Sequence, residues 1–181
     1  MIIKELPRRK GTRMQGFDYN SEGIYFITIC TNGRQCILSE VSTTGVGTGV
    51  LDCPNHHSSV KLTWLGKVAE KYIKQLDDFY DNISVEDYVI MPNHIHMLLV
   101  IKSYKFNGQS RTPVPTKCQN ANTIYSKFIS TFKRFCNKEI GENIWQSRSN
   151  DHIIRNFDDY QRHLNYIYEN PMKWENDELH K

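Results

Sequence analysis

Two histidines inside an apolar run are the first residues of this 181-residue chain whose types and spacing could do chemistry. His94 and His96 flank Ile95 within residues 91–101 (MPNHIHMLLVI). In an extended strand, residues two apart leave the same face, about 7 Å apart along the chain. Both imidazoles then point one way and can converge on one ion, or each finds a hydrogen-bond partner in the core. A second group lies in HLNYIYENP, which holds His163, Tyr166, Tyr168, Asn170 and Pro171. On a helix Tyr166 and Asn170 sit one turn apart on one face, so an amide oxygen can complete a metal site beside a phenol. Aromatic residues at that spacing also serve as core.

Taken together, the two groups suggest a reaction. A phenol with a pKa of about 10 is a poor nucleophile at neutral pH and needs an electrophile activated by another group. A divalent ion, Mg²⁺ or Mn²⁺, on His94, His96 and Asn170 would keep positions open for a phosphate oxygen and act as a Lewis acid. Attack by Tyr166 on a phosphodiester would then give a phosphotyrosine ester and a free 3′ hydroxyl, conserving the bond energy needed to rejoin strands.

Such a site needs a strand for the histidines and a helix for the tyrosine and amide. Residues 24–31 (IYFITICT) read as a strand followed by an Asn32-Gly33 turn, and residues 35–38 as the start of a second strand. Residues 41–59 read as a loop rich in Gly, Ser and Thr, and its Cys53-Pro54-Asn55-His56-His57 cluster fits no zinc spacing. Apolar residues at intervals of three and four predict an amphipathic helix over 62–79. Strands over 85–90 and 94–101 follow, joined at Met91-Pro92-Asn93 into a hairpin because proline cannot donate to a ladder. After a second loop at 103–119, a helix over 120–137 buries Ile124, Phe128, Ile129, Phe132 and Phe135, leaving Lys127, Lys133 and Arg134 outside. Residues 145–155 read as irregular or a short strand, and Asp158 as the cap of a last helix ending near Asn170 and Pro171. The order of elements predicts one α+β domain over 1–181, a sandwich with an antiparallel sheet.

Composition bounds the class of partner. There are 23 Lys and Arg against 20 Asp and Glu, so the net charge of +3 is too small to identify one. Its distribution is more informative. Lys4, Arg8, Arg9, Lys10 and Arg13 form a basic arm over 1–15, and residues 102–138 carry basic side chains but no acid. Glu70, Asp77, Asp78, Asp81, Glu86 and Asp87 crowd the middle and are expected to face away from a polyanion. Cys30, Cys36, Cys53, Cys118 and Cys136 are odd in number and lack a CxxC pair, which speaks for reduced thiols, with Cys30 filling core space. No run reaches the roughly twenty apolar residues of a membrane span, and no apolar signal core is visible, so a cytoplasmic protein is expected.

The ordered set MPNHIHMLL, then YIYENP on a helix, resembles the HUH signature of the single-tyrosine HUH transposases, particularly the REP-associated tyrosine transposases. GFDYNSEGIYFITICTNGR and NIWQSRSNDHIIRNFDDYQRHLNYIYENP are similar to that group as well, so the resemblance spans nearly the whole chain. It implies a ferredoxin-like fold, single-stranded DNA cleavage and strand transfer, and recognition of hairpin DNA. It further implies His94 and His96 as metal ligands, Tyr166 as nucleophile, Asn170 as third ligand, and His152 and Arg155 as DNA contacts or supports. Ser149-Asn150 departs from the group, which often has an aromatic residue shortly before the DH pair. The DNA-binding candidates are then Arg8, Arg9, Lys10, Arg13, Lys127, Lys133, Arg134, Arg148, His152 and Arg155, with Tyr19, Tyr104, Phe106 and Trp145 as surfaces on which bases could stack. A monomer and a homodimer that exchanges tyrosines are both compatible with the sequence. So is a catalytically silent hairpin-binding relative.

Overall fold

The computed structural model describes residues 17–43, 58–102, 123–177 and 179. The basic arm, the 103–119 loop with Tyr104 and Phe106, and the Cys53–His57 cluster lie outside them. Strands β1 (Gly23–Cys30), β4 (Ile83–Ile90), β5 (His94–Ile101) and β6 (Asn150–Ile154) form one sheet in the order β4-β5-β1-β6. All its pairings are antiparallel. Helices α1 (Trp64–Phe79) and α2 (Ile124–Ile140) sit between the strand pairs in sequence, which gives the ferredoxin-like β-α-β-β-α-β order. A third helix, α3 (Phe157–Glu169), follows β6. A separate hairpin pairs β2 (Ser39–Thr43) with β3 (Ser58–Leu62).

Side-chain alternation divides the sheet into two unequal cores. Tyr25, Ile27 and Ile29 of β1 and Ile95, Met97, Leu99 and Ile101 of β5 meet Ala69, Ile73 and Leu76 of α1 and Tyr125, Phe128 and Phe132 of α2. The opposite face is much thinner: Phe26, Leu98 and Ile167, flanked by partly buried Tyr160 and Leu164, seat α3. His94 and His96 alternate with the thick-core residues of β5 and therefore lie on the α3 face.

Several expectations move. Residues 35–38 are not yet strand, because Asn32–Arg34 form a 3₁₀ turn in which Gly33 (φ 62) and Arg34 (φ 56) take left-handed backbone. The ends of the expected 41–59 loop are strands, since β2 and β3 pair from Ser39 opposite Leu62 to Thr43 opposite Ser58. The last helix is capped by Asn156, whose side chain accepts the Asp159 N–H, and Asp158 falls in its first turn. Tyr19 and Trp145, both 2% exposed, are core and offer no stacking surface. Among the described residues no helix is long and apolar enough to cross a membrane.

The turn before β5 is held from outside the sheet. Leu38 N donates to Pro92 O (2.9 Å), Thr31 N to Asn93 O (2.9 Å), and Ser39 Oγ to Ile90 O (2.8 Å). The same segment is fixed to α1, because Leu38 O accepts from both Thr63 N (3.0 Å) and Thr63 Oγ1 (2.9 Å). Gly66 lies against that carbonyl so closely that an added Cβ would stand 2.0 Å from Leu38 O. Gly66→Ala is therefore expected to destabilise the fold by about 1–3 kcal/mol, the range for overpacking against a contact that cannot retreat. Urea unfolding measures it, and an unchanged midpoint would show that the 31–39 segment yields freely.

Candidate functional site

Both histidines are buried, His94 completely and His96 at 3% exposure, and their rings meet edge to face with centroids 4.4 Å apart. Each has its Nδ1 occupied. His94 Nδ1 lies 2.7 Å from Asn93 Oδ1, and Asn93 Nδ2 donates to Leu179 O at 2.6 Å. The Asn93 oxygen can only accept, so His94 carries its proton on Nδ1 and its Nε2 is a bare lone pair. His96 Nδ1 lies 2.9 Å from Thr28 Oγ1, its cross-strand neighbour on β1. Burial pushes the His94 pKa down to about 4, with Asp177 opposing the shift. Burial also holds His96 well below the usual range, helped by the neighbouring His94 and His163. Both rings are neutral at pH 7, the form that ligates metal.

The last turn of α3 completes the arrangement. Asn170, 1% exposed, donates through Nδ2 to Asp177 Oδ2 at 2.9 Å. Its Oδ1 has no hydrogen-bond partner, nor do His94 Nε2 and His96 Nε2. Three side chains predicted as ligands thus each bury a polar atom with no hydrogen-bond partner, an arrangement that costs free energy unless something meets them. Ligand atoms of His94, His96 and Asp177 also lie within 4.8 Å of one another. A divalent ion fits this donor set. Asp177 was not singled out from sequence, because it follows Pro171 and a 3₁₀ turn at Trp174–Asn176, where no period places a side chain.

Tyr166 stands beside these donors, its ring centroid 5.1 Å from that of His96, and remains 40% exposed. It lines an open cavity of about 830 Å³ together with Phe26, Thr28, His96, His163 and Asn170. The other tyrosines of α3 are committed elsewhere. Tyr160 donates to Glu86 (2.8 Å), which pushes its pKa up to about 12, and Tyr168 donates to Asp87, which raises its pKa too. Glu86 and Asp87 therefore anchor the helix that carries Tyr166, and these two acids of the middle segment lie on the α3 side of the sheet.

A protein of Haemophilus influenzae described as uncharacterized is 27% identical over 188 residues, covering 97% of this chain and 94% of its own. The REP-associated tyrosine transposase of Escherichia coli is 29% identical over 89 residues, covering 49% of this chain and 44% of its own. Over about half of its length the chain is thus similar to the REP-associated tyrosine transposases. A solved structure of such a transposase bound to a REP hairpin superposes with a TM-score of 0.57 at 21% identity, covering 90% of this chain and 74% of that one, and shares the fold. No family model matches the chain.

The expected DNA-binding residues of this chain fall into distinct settings. Lys127, Arg134, Arg148, His152 and Arg155 are exposed. His152 Nε2 also pairs with Asp159 Oδ2 at 2.9 Å, and Arg155 N donates to the same oxygen at 3.2 Å. His163 and Arg162 reach Asp159 Oδ1 at 3.3 and 3.2 Å. The His152 hydrogen bond, foremost, keeps the Asp159 carboxyl below its ordinary range and ties β6 to α3. Arg8, Arg9, Lys10 and Arg13 lie outside the described residues.

Lys133 departs from the exposed basic face. Its ammonium turns inward from α2 and donates to Gln146 O (2.8 Å) and Arg148 O (3.3 Å), fastening the segment before β6. Burial pushes its pKa down to about 8, below the unfolded value of about 10.4. Lys133→Met should lower stability at pH 7 by about 1–3 kcal/mol by orphaning two carbonyls. Between pH 8 and pH 10 the unfolded chain holds this proton more tightly than the fold, so the lysine makes stability rise with pH in that window. Denaturation of both proteins across it should show this extra rise in the wild type and its absence in Lys133→Met. Parallel curves would refute the buried charge.

Proposed function

We propose that this protein is a metal-dependent single-stranded DNA endonuclease and strand transferase of the single-tyrosine HUH type, acting on hairpin-containing DNA. The observation that carries the reading is the meeting of three buried, unpartnered polar atoms, on His94, His96 and Asn170, with one cavity-lining phenol. The relationship to transposases, one of which has been solved with a REP hairpin, supports the substrate class.

A divalent ion, when bound, would polarise the scissile phosphate and stabilise the charge that develops on it. The chain's residues do the rest. Thr28 and Asn93 hold the imidazoles in orientation, and Asp177 holds the Asn170 amide through its Nδ2, leaving the oxygen available. Tyr166 Oη attacks phosphorus as the P–O3′ bond breaks, the phenolic proton is given up, and the leaving oxygen is protonated to a 3′ hydroxyl. The 5′-phosphotyrosine left behind keeps the energy of the broken ester, and the reverse attack by a different 3′ hydroxyl joins strands without a nucleotide cofactor. Lys127, Arg134 and Arg148, with the basic arm, supply the phosphate contacts that make binding salt-dependent.

Tyr166→Phe is expected to abolish the covalent protein–DNA adduct formed on structured single-stranded oligonucleotides with Mg²⁺ or Mn²⁺, leaving hairpin affinity within about twofold. A denaturing gel and a binding titration read the two quantities. Undiminished cleavage by the variant would reject the nucleophile and favour a water-using phosphodiesterase. Hairpin binding by the wild type with no adduct under any metal would favour a silent DNA-binding relative.

A further inference from the structure

The reading of this site as a metal centre leaves one nearby charge, which so far only holds the Asn170 amide, with no role toward the ion. Asp177 lies just past α3, partly buried, with its carboxylate among the histidine nitrogens. Its Oδ2 accepts from Asn170 Nδ2 (2.9 Å) and its Oδ1 from Leu179 N (2.6 Å). A carboxylate has about four lone-pair positions, so these two bonds fix its orientation and leave lone pairs to spare. Two neutral imidazoles and one amide would leave a buried divalent ion with its full charge uncompensated, an expensive state away from water. Hard divalent ions of the Mg²⁺ and Mn²⁺ class favour oxygen donors and carboxylates above all.

We infer that the Asp177 carboxylate is a fourth protein donor to the divalent ion held by His94, His96 and Asn170. It would halve the ion's charge and leave room in the coordination shell for substrate oxygen and water. Asn170 and Asp177, locked together by their mutual hydrogen bond, would then supply the oxygen donors and the two imidazoles of β5 the nitrogen donors.

This inference rests on the proposed metal reading, and Mn²⁺ titration by calorimetry on the full chain separates the two. The wild type should bind Mn²⁺, and His94→Ala should remove that binding. Asp177→Asn, which keeps the shape but loses the charge and one accepting oxygen, should weaken Mn²⁺ binding roughly tenfold or more, with a thermal melt confirming that the metal-free fold persists. Asp177→Ser serves in its place should the first variant not fold. A role only through the Asn170 amide is distinguished by repeating the substitution in an Asn170→Ala background. A direct donor produces a further loss of affinity there, and a mere support produces none. No Mn²⁺ binding by the wild type, or binding indifferent to His94→Ala, would overturn the metal reading itself. Histidine-dependent binding that Asp177→Asn leaves within twofold, or no further loss in the Asn170→Ala background, would overturn the Asp177 assignment alone.

Discussion

A residue two places along a strand returns to the same face, and on β5 that alternation sends Ile95, Met97 and Leu99 into the thick core and His94 and His96 to the other side. The two sets are inseparable: a one-residue slip against β1 would put imidazoles into the apolar layer and isoleucine into the site. The apolar side therefore enforces the register that the polar side needs. Within that register Thr28 lies opposite His96 and Asn150 opposite Thr28, so the site's neighbours are set by the ladder before any side chain is chosen.

The two faces of the sheet do different work. The α1 and α2 face buries a continuous apolar core, whereas α3 rests on a small patch around Phe26, Leu98 and Ile167. Polar anchors supplement that thin seat. Asp159 gathers His152, Arg162 and His163 near the start of α3, while Glu86 and Asp87 take the phenols of Tyr160 and Tyr168. These anchors bind the tyrosines flanking Tyr166 and leave Tyr166 on the cavity wall. Acids that on charge alone belonged far from a polyanion thereby help to aim the candidate nucleophile.

Preorganisation has a thermodynamic cost that the fold absorbs. Each buried polar atom left unanswered costs on the order of 1–3 kcal/mol, and the site has three. The surrounding structure is arranged to maintain them: the 31–39 segment clamps the turn before β5, Asn93 fixes the His94 tautomer, and Asp177 fixes the Asn170 amide. A cation meeting all three would recover that energy and stabilise the fold by linkage.

Much of the architecture was legible because it is periodic. The strand over 94–101 was read with its observed ends, β-branched and aromatic content marked β1, and three- and four-residue spacing marked α1 and α2. The candidate ligands and nucleophile were legible for the same reason, since an i,i+2 pair on a strand and an i,i+4 pair on a helix must share a face. Contacts between distant segments carry no such local signal. The inward turn of Lys133, the capture of Tyr168 by Asp87 and the burial of Trp145 depend on which surfaces packing brings together. Asp177 is the sharpest case, because it lies past the end of a helix where no repeat constrains direction. Backbone periodicity, readable residue by residue, fixes which side chains can share a face. Only the tertiary structure decided which faces meet, because long-range burial and hydrogen bonding choose among many locally equivalent surfaces.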